Sequence, residues 1–338
     1  MTRVAHIMAG AVHGGAELFY ERLCLAQQRA GDAVLPVIRT NPARATLLRD
    51  AGMNPVELRF GTRLDILTRP RLARALRAFA PRVAVAWMSR ANMHLPRGDW
   101  VNVGRLGGYY DLRYYRACDH LVGNTIGITT WLRSQGWAAE RAHYLPNFVA
   151  DFADTPPAAD LPKAAPLLLG LGRLHPDKGF DTAIRALPRL PGAIFAIAGE
   201  GPERANLEAL ARREGVADRV RFLGWRTDAG ALLRAADIFV CSSRVEPLGN
   251  MVIEAWSARR PLVAVAADGP AELLLDGRDG LLVPHEDPTA LADAIGRLRD
   301  DPTLAARFAV NGRARYEAAF AEPAVVEQWR AFLDKVGK

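Results

Sequence analysis

The segment Leu167-Leu-Leu-Gly-Leu-Gly-Arg-Leu-His-Pro-Asp-Lys-Gly179 joins an apolar run to a loop with two cations. The run predicts a buried strand, and the residues that follow have the pattern of a helix. Glycines let backbone amides approach an anion, and a helix N-terminus adds partial positive charge. Arg173 can fork onto phosphate oxygens, and Lys178 supplies a point charge. We therefore expect an anion site in an α/β domain; two solvated cations are the alternative.

The same alternation of strands and helices continues on both sides of this segment. It predicts a doubly wound parallel sheet in each half of the chain. The expected strands are 4–9, 34–38, 83–87, 101–103, 121–122 and 143–145, then 167–171, 193–198, 220–222, 238–240, 262–265 and 281–283. Late helices are expected at 288–299, 303–318 and 322–336.

A stretch with four prolines, 151–166, interrupts the periodicity. We interpret 1–152 as an N-terminal Rossmann-like domain, 153–166 as an interdomain linker and 167–321 as a C-terminal Rossmann-like domain. Ligands of such sheets bind beyond the carboxyl ends of the strands, so a cleft between the domains is the expected site.

Composition narrows the class of protein. Of 338 residues, 50% are hydrophobic and 24% are charged, which excludes a largely disordered chain. The three cysteines are far apart in the chain and show no paired spacing, which argues against a disulfide framework or a zinc module. They fit a protein of a reducing compartment. No apolar run is long enough to span a bilayer. We expect a cytoplasmic protein.

Positive charge is concentrated in the first half. Residues 1–150 carry a net charge of +10 and residues 151–338 a net charge of −3, which together give the overall +7. A basic half suggests an anionic partner. The segment 69–82 is a basic helix candidate with Leu72, Leu76 and Phe79 on one face, and we expect it to dock on an anionic membrane or to be an ordinary surface helix. Aromatic residues do not alternate with the basic ones, so nucleic acid is not an expected partner.

A second cluster, Glu246-Pro-Leu-Gly-Asn-Met-Val-Ile-Glu254, follows the predicted strand 238–240. Glu246 is expected in the loop and Glu254 in an otherwise apolar helix, where a carboxylate needs a partner such as ribose hydroxyls. The amides at Leu248, Gly249 and Asn250 would form a second helix N-terminus.

Glycine turns recur where other predicted strands end. They are Gly14-Gly15-Ala-Glu17, Gly199-Glu-Gly-Pro202 and Asp268-Gly-Pro-Ala-Glu272, and each permits a close approach of backbone or ligand. Each alone is weak evidence; together they mark one edge of the predicted sheets.

These motifs in this order resemble the retaining nucleotide-sugar glycosyltransferases of family 4, which have the GT-B fold of two facing Rossmann-like domains. The resemblance covers the whole chain and is most specific from Leu167 to Pro284. It implies transfer of a sugar from a UDP- or GDP-linked donor to a saccharide or lipid-linked acceptor in cell-envelope glycolipid, lipopolysaccharide or polysaccharide synthesis. It also implies that helix 322–336 packs back on the N-terminal domain, and that no cofactor is needed.

The resemblance also implies residue roles. Arg173, Lys178 and Glu246 would be catalytic: the two cations would stabilise the leaving nucleotide and Glu246 would contact the transferred sugar. Donor-binding residues would be Gly15, Gly172, Gly199, Leu248, Gly249, Asn250 and Glu254. Where many relatives carry a histidine facing the donor sugar, this chain has Arg105, which could contact the sugar or the acceptor or form a structural ion pair; His94 and His120 are alternatives.

The spacing of the two glutamates bears on the chemical mechanism of sugar transfer. Glu246 and Glu254, separated by eight positions, are an unsuitable pair for double displacement, so we expect front-face transfer in which the leaving phosphate deprotonates the acceptor. No Asp-x-Asp triplet occurs, so no metal is expected.

A dehydrogenase is disfavoured because the first turn is not Gly-x-Gly-x-x-Gly. The combination of Arg173, Lys178, Glu246 and Glu254 argues against a non-catalytic binding module. An epimerase or phosphorylase of the same fold remains the alternative, and product analysis would separate it.

Overall fold

The chain forms two compact units, Met1–Phe148 with Glu322–Lys338, and Val149–Ala321. The computed structural model describes residues 2–12, 14–61, 65–162 and 165–337. Each unit contains its own parallel sheet covered by helices.

The first unit contains a seven-stranded sheet of order β3-β2-β1-β4-β5-β6-β7. The second contains a six-stranded sheet of order β10-β9-β8-β11-β12-β13. The strands are β1 Arg3–Met8, β2 Ala33–Arg39, β3 Val56–Leu58, β4 Val83–Trp87, β5 Val101–Leu106, β6 His120–Gly123, β7 Ala142–Tyr144, β8 Leu167–Leu171, β9 Ile194–Ala198, β10 Val220–Gly224, β11 Ile238–Cys241, β12 Leu262–Val265 and β13 Leu281–Val283.

Helices connect successive strands, as parallel pairing requires. They are α1 Gly15–Arg29, α2 Pro42–Asp50, α3 Thr68–Phe79, α4 Met88–His94, α5 Ile126–Ser134, α6 Phe180–Ala186, α7 Arg204–Arg213, α8 Ala229–Ala235, α9 Asn250–Ser257, α10 Asp268–Leu273, α11 Pro288–Asp300, α12 Pro302–Ala319 and α13 Glu322–Val336. The last helix, α13, belongs to the first unit and buries Trp329 and Leu333 in its core.

The apolar runs became central strands because both of their faces are covered. In β1, every residue from Val4 to Met8 is buried, and the strand pairs in parallel with β2 and β4. In β8, the residues 167–170 are buried in the same way between β9 and β11. Near-continuous apolar runs are typical of parallel strands covered on both sides. Each predicted strand is present, and the short edge strand β3 was missed.

The expected linker is not a free connection. Residues 163 and 164 lie outside the described residues. Before them, Ala158 and Leu161 are buried in the core of the second unit, and Asp151 pairs with Arg313 at 2.5 Å. The first unit therefore ends at Phe148, four residues before the expected boundary, because the following segment has apolar side chains to bury.

Helix α3 is the predicted basic helix. Its apolar residues Leu72 and Leu76 are fully buried in the core of the first unit, so this apolar face is not available to insert into a membrane. The arginines 69, 71, 74 and 77 are exposed. Among the residues that the structure describes, no helix combines the length and the apolar character needed to cross a membrane.

Candidate functional site

In the second unit, the loop that follows β8 carries Arg173 and Lys178. Arg173 is exposed, and no ion pair to it is formed within the described ranges. The turn before it packs tightly against the turn after β9: a Cβ at Gly199, where φ is +155°, would fall on the carbonyl oxygen of Gly172. Gly172 also has a positive φ, +145°, and lies against the methylene groups of Lys178. Glycine at 172 and 199 therefore holds two strand ends close together.

Lys178 and Glu246 meet at the centre of this site. Lys178 Nζ lies 2.5 Å from Glu246 Oε2, with side chains 22% and 11% exposed. The other carboxylate oxygen, Oε1, accepts a hydrogen bond from the Gly249 N–H at 3.2 Å. Both oxygens of Glu246 thus engage donors that could equally bind a phosphate group.

The position of Lys178 is determined by the loop after β11, through residues that the sequence analysis missed. Ser242 Oγ donates to the Lys178 carbonyl oxygen at 2.9 Å, and the Arg244 N–H donates to the Asp177 carbonyl oxygen at 2.7 Å. The Arg244 guanidinium bonds Asp181 through both carboxylate oxygens at 2.8 Å. These bonds raise the pKa of Arg244 above its usual range. No local pattern in the sequence indicates this brace, because Arg244 and Asp181 lie far apart in the chain.

Helix α9 begins where the sequence predicted a helix N-terminus. Gly249 is its N-cap and Asn250 its first residue, while Glu246 and Leu248 lie in the preceding loop. The Asn250 Oδ1 atom is buried, and no described residue forms a hydrogen bond with it. Glu254 lies within the helix and is half-buried. The structure therefore brings together Gly172, Lys178, Glu246 and Gly249, with Arg173 on the same loop as Lys178.

Gly15 and Arg105 belong to the first unit. Gly15 is exposed at the start of α1, and no described atom lies within 4 Å of the place where its Cβ would be. Near it, Glu17 Oε1 accepts a hydrogen bond from the Ala11 N–H at 2.7 Å.

Arg105 lies at the carboxyl end of β5 and is only 2% exposed. One guanidinium nitrogen donates to Asn147 Oδ1, and the group lies over the Trp87 and Phe19 rings, 4.4 and 4.9 Å from their centroids. Its Nε atom has no partner, and the described residues place no carboxylate in an ion pair with it. Burial lowers the pKa of Arg105 to about 9. The structural ion pair, which was one of the alternatives for Arg105, is therefore not formed among the described residues.

His94 and His120, the alternatives to Arg105 as the residue that contacts the sugar, lie in different environments from Arg105. His94 is buried against Phe60, and its Nε2 lies 3.3 Å from the Gly61 carbonyl oxygen. His120 is the first residue of β6, at the amino end of that strand and in register with Val103 of β5, with its Nδ1 3.1 Å from Nε2 of His143. Parallel strands place their ligand sites at carboxyl ends, so the position of His120 does not favour a substrate contact.

No group of three or more histidine, cysteine, aspartate or glutamate side chains suited to a metal ion occurs in the described part of the chain. The donor set at Arg173, Lys178 and the Gly249 amide is cationic, and cationic donors suit a phosphate rather than a metal ion.

Known proteins match this chain both over the second unit alone and over nearly its whole length. The family model for group 1 glycosyl transferases matches residues 165–301. The lipopolysaccharide core biosynthesis glycosyltransferase LpsD of Rhizobium meliloti is 35% identical, with 98% of each chain covered. LpsE of the same organism is 34% identical over the same shares.

Solved structures show the same fold. The HepE protein of Anabaena, crystallised with UDP, superposes with a TM-score of 0.85 at 22% identity, covering 99% of this chain and 100% of that one. This likeness establishes the GT-B architecture of two Rossmann-like domains.

Proposed function

This chain belongs to the group 1 glycosyltransferases, and we propose that it transfers a sugar, with retention at the anomeric carbon, from a nucleotide diphosphate sugar to a hydroxyl of a lipopolysaccharide core acceptor. Two relatives named for lipopolysaccharide core biosynthesis match over nearly the whole of both chains, which supports this acceptor class. The structural relative HepE was crystallised with UDP, which supports a uridine or similar nucleotide as the leaving group.

The donor would be bound through its diphosphate in the second unit. The observation that carries this proposal is the cluster of Lys178, Glu246 and the Gly249 N–H beside the exposed Arg173. Arg173 has no ion pair among the described residues, so it can bind the diphosphate without first breaking one. Lys178 would exchange part of its pairing with Glu246 for a phosphate oxygen. Such charge-assisted bonds stabilise the negative charge that develops on the leaving phosphate.

Helix α9 would hold the nucleoside and the sugar. Glu254 would accept from the ribose hydroxyls, and the unpartnered Asn250 Oδ1 would accept from a sugar hydroxyl. The amides at Leu248 and Gly249 would add the partial positive charge of the helix N-terminus.

Retention would proceed on the front face. A double displacement needs a free carboxylate nucleophile next to the anomeric carbon. In this unit both oxygens of Glu246 are already hydrogen-bonded, to Lys178 and to Gly249. The leaving phosphate would therefore accept the proton of the acceptor hydroxyl, while the protein positions the two substrates. The anomeric configuration of the product, read by NMR, tests retention directly.

No metal or cofactor would take part, because the two cations supply the charge that a metal would otherwise provide. Chelation with EDTA should leave the rate unchanged. Recovery of activity only on adding Mn²⁺ or Mg²⁺ would contradict this.

The binding experiment is calorimetry of the full chain with UDP, GDP and their sugars. We expect one nucleotide to bind wild type and to bind Arg173→Ala at least tenfold more weakly. Arg212→Ala, an exposed arginine of the same unit, serves as the matched control. Incubation with donor and core oligosaccharide should yield a glycosylated product; an isomerised donor or a sugar phosphate would instead indicate the epimerase or phosphorylase.

The membrane partner would act through charge alone. Helix α3 exposes four arginines, at positions 69, 71, 74 and 77, while its leucines are buried. A basic surface gains about 1 kcal/mol per arginine near an anionic leaflet. Co-sedimentation with vesicles containing phosphatidylglycerol should fall for the Arg71→Gln, Arg74→Gln double variant and at high salt. Equal sedimentation with neutral vesicles would overturn this partner.

A further inference from the structure

Arg105 is a buried cation whose neighbours leave part of it unsatisfied. Its guanidinium contacts two aromatic faces and one amide oxygen, and its Nε has no partner. Removing a charge from water is costly unless an opposite charge or several hydrogen bonds compensate. No described residue supplies that opposite charge, so a ligand is the remaining source.

The space next to this cation is open and bordered by polar groups. From the position that a Cβ on Gly107 would take, Tyr110 Oη lies at 3.8 Å, and Arg105 Nη1 and Asn124 Nδ2 lie at 3.9 Å. Apart from Gly107 and its two chain neighbours, no described atom is closer. Gly107 and Tyr110 are half-buried.

Asn124, whose Nδ2 borders the same space, also has an unsatisfied group. Its side chain is 5% exposed, and its Oδ1 is buried without a partner. An anion would accept from the guanidinium, the phenol and the amide nitrogen, and a neighbouring hydroxyl could donate to Oδ1. An anionic group next to a hydroxyl is the pattern of a sugar acid or a sugar phosphate.

We propose that Arg105, Tyr110 and Asn124, arranged around Gly107, bind a carboxylate or phosphate group of a saccharide substrate. This site would make the enzyme selective for an acidic sugar, either the one that is transferred or one in the acceptor. The inference rests on the proposed function for its substrates, but the site itself lies wholly within the first unit.

Two variants test the site without relying on loss of folding. Arg105→Met removes the buried charge but also leaves Asn147 Oδ1 without its donor, so its thermal transition is recorded beside the binding data and is not itself the test. Gly107→Ala fills the space at ordinary contact distances, and its φ is not in the left-handed region. A purely structural role for Arg105 would leave Gly107→Ala unaffected in every assay.

Direct binding is measured on the full chain by the ¹⁵N–¹H resonance of Arg105 Nε, identified by its loss in Arg105→Met. Inorganic phosphate and D-glucuronate should shift this resonance, and D-glucose should not. Gly107→Ala should abolish the shift. Absence of any shift with millimolar phosphate and glucuronate overturns the proposal, whether or not the protein transfers sugars.

Turnover identifies the source of the anion. In one arm, UDP-glucuronate is compared with UDP-glucose as donor; in the other, core oligosaccharide is compared before and after carboxyl reduction and before and after dephosphorylation. Wild type should favour the acidic partner in one arm by at least tenfold in kcat/KM, and both variants should lose that preference. Sugar transfer with no acid preference in either arm would overturn the acidic-sugar site while leaving the proposed function intact.

Discussion

Two cations, Lys178 in the second unit and Arg105 in the first, occupy comparable places at the carboxyl ends of parallel strands. Lys178 is partly exposed and paired with Glu246 at 2.5 Å. Arg105 is buried; its guanidinium donates to one amide oxygen and lies over two aromatic rings, and no described carboxylate forms an ion pair with it. A paired lysine can exchange its partner for a substrate phosphate, whereas a buried guanidinium without a carboxylate needs an anion from outside. On the proposed assignments, this difference would separate the site that binds the nucleotide diphosphate from the site that selects the saccharide.

The largest effect should come from the exposed arginine of the second unit. Arg173→Ala should lower kcat by at least tenfold, and on the order of a hundredfold if one leaving-group contact contributes about 3 kcal/mol. Initial rates with saturating donor measure it, with Arg212→Ala as the control. Near-normal turnover of a folded Arg173→Ala protein would remove Arg173 from the site.

Acid should weaken the first unit through His6. This side chain is fully buried between Gln27 and Trp87, and its burial lowers the pKa of His6 to about 4. In the unfolded chain the pKa is about 6.5, so that state takes up a proton first as the pH falls. Stability is therefore complete above about pH 6.5 and should be lost progressively down to about pH 4, by on the order of 3 kcal/mol.

Urea unfolding between pH 7 and pH 4 measures this loss. A His6→Gln variant, which cannot titrate at this position, should show a flatter dependence over the same range. An equal slope in both proteins would show that other groups cause the acid sensitivity.

Alanine should destabilise the protein at Gly199, where two strand ends pack closely, but not at Gly15. Gly199→Ala places a Cβ on the Gly172 carbonyl oxygen at a positive φ, so it should destabilise the second unit by roughly 1–3 kcal/mol. Gly15→Ala, in the first unit, meets no described atom within 4 Å and should unfold like wild type. Thermal unfolding of both variants measures the contrast, and similar midpoints would contradict it.

The smallest effect should be on nucleotide binding by Glu246→Gln. Glutamine keeps an acceptor for the Gly249 N–H but no longer neutralises Lys178, so UDP or GDP should bind as tightly as to wild type or a few-fold more tightly. Lys178→Ala should bind more weakly, because it loses the cation itself. Calorimetry of both variants checks this, and equal weakening would mean that Glu246 itself supports the nucleotide.

The fold and much of the second unit could be predicted because strand runs such as Leu167–Leu171 are apolar throughout and are followed by glycine. The turn Gly249-Asn250 likewise predicted the start of α9. Strand β3 was missed because its short sequence, Val56-Glu-Leu58, contains a charged residue and no apolar run. The brace from Arg244 to Asp181 joins residues far apart in the chain, and no local pattern indicates such a contact.

Burial could not be read from residue type either. Arginines are usually exposed, so the sequence could not show that Arg105 is buried while Arg173 is solvated. Helix α3 was similarly ambiguous: its leucines suited a membrane or a core equally well, and the structure buries them in the core.

The central claim is that the second unit binds the donor by its diphosphate. A crystal structure of the full chain with UDP or GDP tests it most directly. The diphosphate should lie against the Arg173 guanidinium, Lys178 Nζ and the Gly249 N–H. A nucleotide bound elsewhere, with these three groups facing only solvent, would contradict the claim.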